Sequence, residues 1–214
     1  MGIIQITNCI RKGMNTMTKY RLLPIALAAC ALLLAGCQAE PAPADKPADT
    51  SASAPQDAQP SGKTAFTRFE AQTLAGAETD QTLFKDYKLT MINIWGTFCG
   101  PCLKEMPDLG ELHREYADKG FQVVGIVTDA GDMNGNIDSA TVEKAKKIVE
   151  QTGADYTHLL PSKDLIRNKL ATVSSIPETV FVDEQGRQVG RAYTGAITKA
   201  EWASVIESLL EKVN

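Results

Sequence analysis

Two seven-residue apolar runs stand out along the chain, Leu89-Thr-Met-Ile-Asn-Ile-Trp95 and Phe121-Gln-Val-Val-Gly-Ile-Val127. Near-continuous runs of this length predict strands buried on both faces rather than half-solvated ones. Between them Leu103, Met106, Leu109, Leu112 and Tyr116 recur every three to four residues, one face of a helix, and Gly120 follows as a stop signal. Strand, helix, strand in this order predicts a right-handed parallel unit. Downstream, Val142, Ala145, Ile148 and Val149 predict a helix over 139–151, followed by a short strand over 156–160 and a short helix over 163–170. Residues 178–183 and 188–193 predict an antiparallel hairpin across Asp183-Glu184-Gln185-Gly186. Thr198 and Glu201 form a capping-box signature opening a last helix that buries Trp202, Val205, Ile206 and Leu209. Upstream, 66–74 and 78–84 predict a hairpin turning at Ala75-Gly76-Ala77. The pattern is that of an α/β domain, a central mixed sheet flanked by helices with an N-terminal hairpin extension.

The pattern changes before residue 64. From Lys19 a basic start leads into an apolar run of about 14 residues, too short for a bilayer-spanning helix and of the form of a signal peptide. Residues 1–36 are read as that peptide, with Met14 or Met17 as a more typical start. Its end, Leu34-Ala35-Gly36-Cys37, resembles the lipobox of bacterial lipoproteins, which implies that Cys37 becomes the lipidated first residue. Residues 38–62 hold Ala, Pro, Asp, Ser, Gln and Lys with no large apolar side chain, so 37–63 is expected to be a disordered tether. As a coil, about 25 residues span roughly 28 Å. Residues 64–214 are the expected folded domain.

Charge and cysteine usage narrow the function. Of the 22 Lys+Arg, four (Arg11, Lys12, Lys19, Arg21) precede Cys37; without them 18 face 26 Asp+Glu, a formal charge near −8. Such a chain repels nucleic acid and anionic headgroups, so attachment to a membrane would be covalent or through a protein. Of the five cysteines, Cys9, Cys30 and Cys37 fall in the leading segment, which leaves Cys99 and Cys102 for the domain. One close pair is not a disulfide scaffold.

That pair reads Cys99-Gly100-Pro101-Cys102, at the junction of the first buried strand and its helix. A thiol there meets unpaired backbone N–H groups and the positive end of the helix dipole, which favour a thiolate. Cys99 is therefore the expected nucleophile, and Cys102, one turn in, the thiol that resolves a mixed disulfide. The same spacing occurs in zinc sites, but those need two further ligands, and His113 and His158 are isolated in sequence. No metal and no cofactor beyond the cysteine pair is expected. His113, Met91 and Met106 carry no special chemistry.

The stretch Ile94-Trp-Gly-Thr-Phe-Cys-Gly-Pro-Cys-Leu-Lys-Glu-Met-Pro107, with Ile176-Pro177 about 75 residues on, resembles the thioredoxin superfamily and within it the TlpA/ResA-like extracytoplasmic thiol-disulfide oxidoreductases. The resemblance covers roughly 64–214 and implies a thioredoxin-like fold. It implies that Pro177 is cis and that the backbone of Ile176 pairs with bound substrate. Pro107 matches the proline that kinks the family's helix. Asn93 stands where cytoplasmic thioredoxins keep a buried acid, and an amide cannot take that proton. The TlpA-like glutamate falls at Glu105, which the resemblance makes the group that tunes the pair and moves its protons. Phe98 replaces the usual Trp before the first cysteine, and Phe98 and Trp95 are expected to frame a docking groove with Gly100 and Pro101.

Gly-Pro between the cysteines is the thioredoxin choice, whereas strongly oxidising relatives carry Pro-His, which favours a reductase. The resemblance implies exported disulfide proteins as substrates, such as apocytochrome c or a methionine sulfoxide reductase, with electrons from a CcdA/DsbD-like membrane protein. A peroxiredoxin would need Pro-x-x-x-Thr-x-x-Cys, whereas Thr97 lies only two residues before Cys99 with no such proline. A copper chaperone of the SCO type would carry CxxxC with a distal histidine. A non-catalytic lipoprotein would tolerate loss of Cys99.

Overall fold

A computed structural model describes residues 64–213 of the chain. The expected signal peptide, Cys37 and the tether lie outside the described residues. Seven strands and four helices, numbered in chain order, build the described part: β1 Glu70–Gln72, β2 Glu78–Asp80, β3 Leu89–Trp95, α1 Gly100–Glu115, β4 Phe121–Val127, α2 Ser139–Thr152, β5 Thr157–Leu159, α3 Lys163–Asn168, β6 Glu178–Val182, β7 Gln188–Thr194 and α4 Lys199–Lys212. The main sheet runs β5-β4-β3-β6-β7, with β3, β4 and β5 parallel and β6 and β7 antiparallel to their neighbours.

Every residue of β3 and β4 is buried, because helices cover both faces of the sheet. The period of two sorts the strands. Leu89, Met91 and Trp95 of β3 join Val123 and Val127 against α1, α2 and α4. Ile92 and Ile94 join Val124, Ile126, Val180 and Val182 against Leu165 of α3 and Phe66, Phe69 and Phe84 from the N-terminal stretch. α1 keeps Met106, Leu109 and Leu112 fully buried and continues through Pro107. It is closed by a short 3₁₀ turn and by Gly120 at φ 81°, a left-handed position that suits glycine.

Two expectations need correcting. The N-terminal hairpin pairs only 70–72 with 78–80. Phe66 lies in a turn, Phe69 immediately precedes β1, and Gln81–Phe84 is a 3₁₀ turn. These aromatics cover the α3-side face of the sheet, a task that needs burial and no strand pairing. The hairpin also finishes the sheet: the Leu160 N–H donates to Gln72 O at 2.8 Å and the Leu74 N–H to His158 O at 2.7 Å, so the β5 edge is not left open. In α4, Val205 is half-buried and Leu210 is buried instead, one position on around the helix. No helix among the described residues is long and apolar enough to cross a membrane.

Candidate active site

β3 ends at Trp95, and the chain turns through Gly96, Thr97 and Phe98 before α1 begins. Asp129, in the turn after β4, pins that loop: its carboxylate accepts the Thr97 N–H at 3.0 Å and the Thr97 hydroxyl at 2.6 Å. Cys99 is the N-cap of α1, and its Sγ accepts the Cys102 N–H at 3.3 Å. The sulfur thus occupies the position where a capping oxygen normally meets the free N–H groups of a helix start, which also suits a thiolate. Cys99 and Cys102 are joined as a disulfide, with Cα atoms 5.3 Å apart. Cys99 is 6% exposed and Cys102 fully buried, the asymmetry that an attacking and a resolving thiol require.

The Ile176–Pro177 peptide bond is cis, and the Ile176 carbonyl oxygen lies 3.7 Å from Cys99 Sγ. Lys169 and Glu178 form a largely buried ion pair across the loop that carries this bond. Gly100 and Pro101 are exposed at the rim. Phe98 is 70% and Met133 69% exposed, and with Ile166, Leu170, Val173 and Ile176 they line a groove of about 500 Å³ beside the disulfide. Trp95 does not frame this groove, contrary to expectation. It is fully buried, and its indole N–H donates to His158 Nδ1 at 3.1 Å. As the last residue of an all-buried strand it points under the site. A larger cavity of about 1000 Å³, lined by Arg68, Asp80, Asp164 and Arg167 among others, shares no residue with the cysteine site.

Beneath the cysteines sits a buried polar layer. Glu105 is only 3% exposed. Its Oε1 accepts from Asn93 Nδ2 at 2.9 Å and its Oε2 from Trp202 Nε1 at 3.5 Å. Asn93, expected to be inert toward protons, thus serves as a donor to the glutamate, and its Nδ2 also donates to Thr179 Oγ1 at 3.1 Å. Burial pushes the Glu105 carboxyl up to about 7, against the pull of the Asn93, Trp202 and Ile197 N–H donors. His158 is also buried; its Nε2 lies 2.9 Å from Ala154 O, so that nitrogen carries the proton while Nδ1 accepts from Trp95. Burial pushes His158 down to about 4. Gly125 makes room for this pair, since a Cβ there would stand 2.2 Å from His158 Nδ1. The Asn93 Oδ1 and Tyr156 hydroxyl oxygens are buried with no partner among the described residues.

Sequence reasoning missed Trp202, Asp129 and His158. Trp202 was legible only as an apolar position of the last helix, Asp129 as a loop acid, and His158 as an isolated histidine.

A cysteine pair at a helix start, faced by a cis peptide and set at the end of a central parallel strand, defines the class of thioredoxin-fold thiol-disulfide oxidoreductases. The chain belongs to the AhpC/TSA family, whose model matches residues 63–189. It is 28% identical over 141 residues to the thiol-disulfide oxidoreductase ResA of Geobacillus thermodenitrificans, which covers 66% of this chain and 74% of that one. The thioredoxin-like protein YneN of Bacillus subtilis is 34% identical over 136 residues, 62% of this chain and 71% of its own length. Among solved structures, a thiol:disulfide interchange protein of the thioredoxin family from Chlorobium tepidum superposes with a TM-score of 0.58 at 23% identity, covering 72% of this chain and 99% of that one. A thioredoxin from Neisseria meningitidis gives 0.55 at 18%, covering 70% and 91%. These two show the fold. The chain is a thiol-disulfide oxidoreductase of ResA type.

Proposed function

We propose that this oxidoreductase works outside the cytoplasm, held to the membrane by a lipid on Cys37, and reduces disulfides in exported proteins. The observation that carries the thiol exchange is the Cys99–Cys102 pair at the start of α1, facing the cis Ile176–Pro177 bond, with Glu105 buried on the turn after Cys102. The Cys99 thiolate attacks a substrate disulfide, forming a mixed disulfide and releasing one substrate thiolate. Cys102 gives its proton to Glu105, and its thiolate attacks Cys99 Sγ, closing the Cys99–Cys102 disulfide and releasing the second thiolate. Two electrons pass to the substrate, whose thiolates take up two protons. The Ile176 backbone and the Phe98 groove receive the substrate chain, with Gly100 and Pro101 at the rim.

Gly100-Pro101 supports the reducing direction. The chemistry fits exported substrates such as apocytochrome c or a methionine sulfoxide reductase, and a CcdA/DsbD-like membrane protein would restore the dithiol. Two measurements test the reading. The reduction potential is expected near about −270 mV; a value near about −120 mV would make the protein an oxidant. Cys102→Ser in the native host is expected to accumulate mixed disulfides on Cys99, and recovery of none would sink the claim of protein substrates.

A further inference from the structure

We propose that Trp202, on the C-terminal helix, is a positioning residue for Glu105: its indole N–H fixes the carboxylate oxygen that the central strand leaves free and helps hold the glutamate ready to accept a proton. The inference rests on the reading of Glu105 as the proton acceptor of Cys102.

The two oxygens of Glu105 are held from opposite sides. Oε1 belongs to β3 through Asn93, whose amide hydrogens are divided between Glu105 and Thr179. Oε2 belongs to α4, through Trp202 Nε1 at 3.5 Å. The Ile197 N–H, in the connection leading into α4, also donates to this carboxyl. Trp202 is fully buried, and a buried indole N–H needs an acceptor. Its ring is fixed by Tyr193 and Phe181, with centroids 5.3 and 6.0 Å away. The start of α4 is fixed in turn by the Thr198–Glu201 capping box. Trp202 therefore presents its N–H from a rigid frame.

The groups that act on Glu105 come from every element around it. β3 supplies Asn93, with Thr179 of β6 behind it. α1 supplies Asp108, whose charge opposes ionisation, and α4 with its leading loop supplies Trp202 and Ile197. The Tyr156 hydroxyl, just before β5, feels the glutamate's charge. None of these groups is cationic, so the ionised carboxylate is stabilised by neutral N–H donors and each donor counts.

The test is Trp202→Phe in the full chain, which keeps a ring against Phe181 and Tyr193 and removes only the N–H. In Trp202→Phe, the pH midpoint for alkylation of Cys99 and for insulin-disulfide reduction is expected to move up by about half a pH unit, with a two- to threefold slower rate near pH 7. Thr198→Ala, which loosens the helix start without touching the core, is expected to move it the same way by less. In a Glu105→Gln background Trp202→Phe is expected to add nothing. If Glu105→Gln shifts the profile and Trp202→Phe does not, the positioning role is wrong and the reading of Glu105 stands. If Glu105→Gln leaves the profile unmoved, both fall. An equal shift from Trp202→Phe with and without Glu105 would also overturn the proposal, because the tryptophan would then act through another group. The infrared carboxyl band of protonated Glu105, identified by its loss in Glu105→Gln, gives a readout independent of the cysteines and of any change in folding rate; it is expected to shift in Trp202→Phe.

Discussion

The two faces of the central sheet differ in kind. Against α3 and the N-terminal stretch the packing is mostly hydrocarbon: Phe66, Phe69, Phe84, Ile92, Ile94, Val124, Ile126, Val180 and Val182. Its buried polar groups are partnered: Gln122 Nε2 donates to Thr90 Oγ1 at 3.0 Å and to Leu83 O at 2.9 Å, and Glu178, on the same side of β6 as Val180 and Val182, pairs with Lys169. Against α1, α2 and α4 the same strands place Asn93, Thr179 and His158, beside Glu105 of α1 and Tyr156 just before β5, and two buried oxygens there have no partner among the described residues. Burying such groups costs free energy that hydrocarbon would not. One face is packed mostly with hydrocarbon, and the other sets a buried polar layer within the larger apolar cluster and accepts that cost. The exposed groove runs differently again: Phe98 reaches from the cysteine loop toward Ile166 and Leu170 on the α3 side, so the groove and the buried polar layer lie on opposite sides of the sheet edge.

The largest expected effect separates the faces by stability. Phe84→Ala empties a fully buried position of the apolar face and is expected to cost about 3–5 kcal/mol in denaturant unfolding, with the reduction potential of the folded fraction unchanged. A shifted potential would mean that the two faces are coupled.

Next comes the pH dependence of stability, where the polar face has two opposing groups. Glu105 titrates near 7 in the folded chain against 4.5 unfolded, so the folded state binds more protons in that window, and its contribution to stability falls as pH rises through it, by on the order of 3 kcal/mol. His158 titrates near 4 folded against 6.5 unfolded, so the unfolded state binds more protons and the contribution falls as pH drops from about 6.5 toward 4. Between about 4.5 and 6.5 the two offset each other. Glu105→Gln is therefore expected to lose stability relative to the native chain as the pH is lowered from about 7 to about 4.5, read from melting temperatures at matched ionic strength. A difference independent of pH would remove Glu105 from the buried layer.

The smallest effect concerns the groove. Phe98→Ala, at a position 70% exposed, is expected to leave stability within about 0.5 kcal/mol and to raise KM for a protein disulfide several-fold while kcat and the pH midpoint stay put. A moved pH midpoint would place docking and proton handling on the same side after all.

Much of this was legible in the sequence for a physical reason. Strand and helix periodicity, Gly120 as a stop and the capping box at Thr198 are local signals, and each element formed within four residues of where its pattern ran, β3 and β4 at the same bounds. The N-terminal hairpin formed around Gly76 but shorter than its pattern, because Phe66, Phe69 and Phe84 are apolar for burial rather than pairing, and composition alone does not distinguish the two. Of the site, the Cys99–Cys102 spacing and its place at a helix start were readable along the chain, and the resemblance to the TlpA/ResA-like group added Asn93 and Glu105. What only the tertiary structure decided was which groups meet across long separations: Trp202 with Glu105, His158 with Trp95, Asp129 with Thr97, and the burial of Trp95 where a docking surface was expected. Periodicity tells which face of an element is buried and carries nothing about what lies opposite that face. That depends on the order β5-β4-β3-β6-β7, which brings the start of α4 back over the turn that follows Cys102.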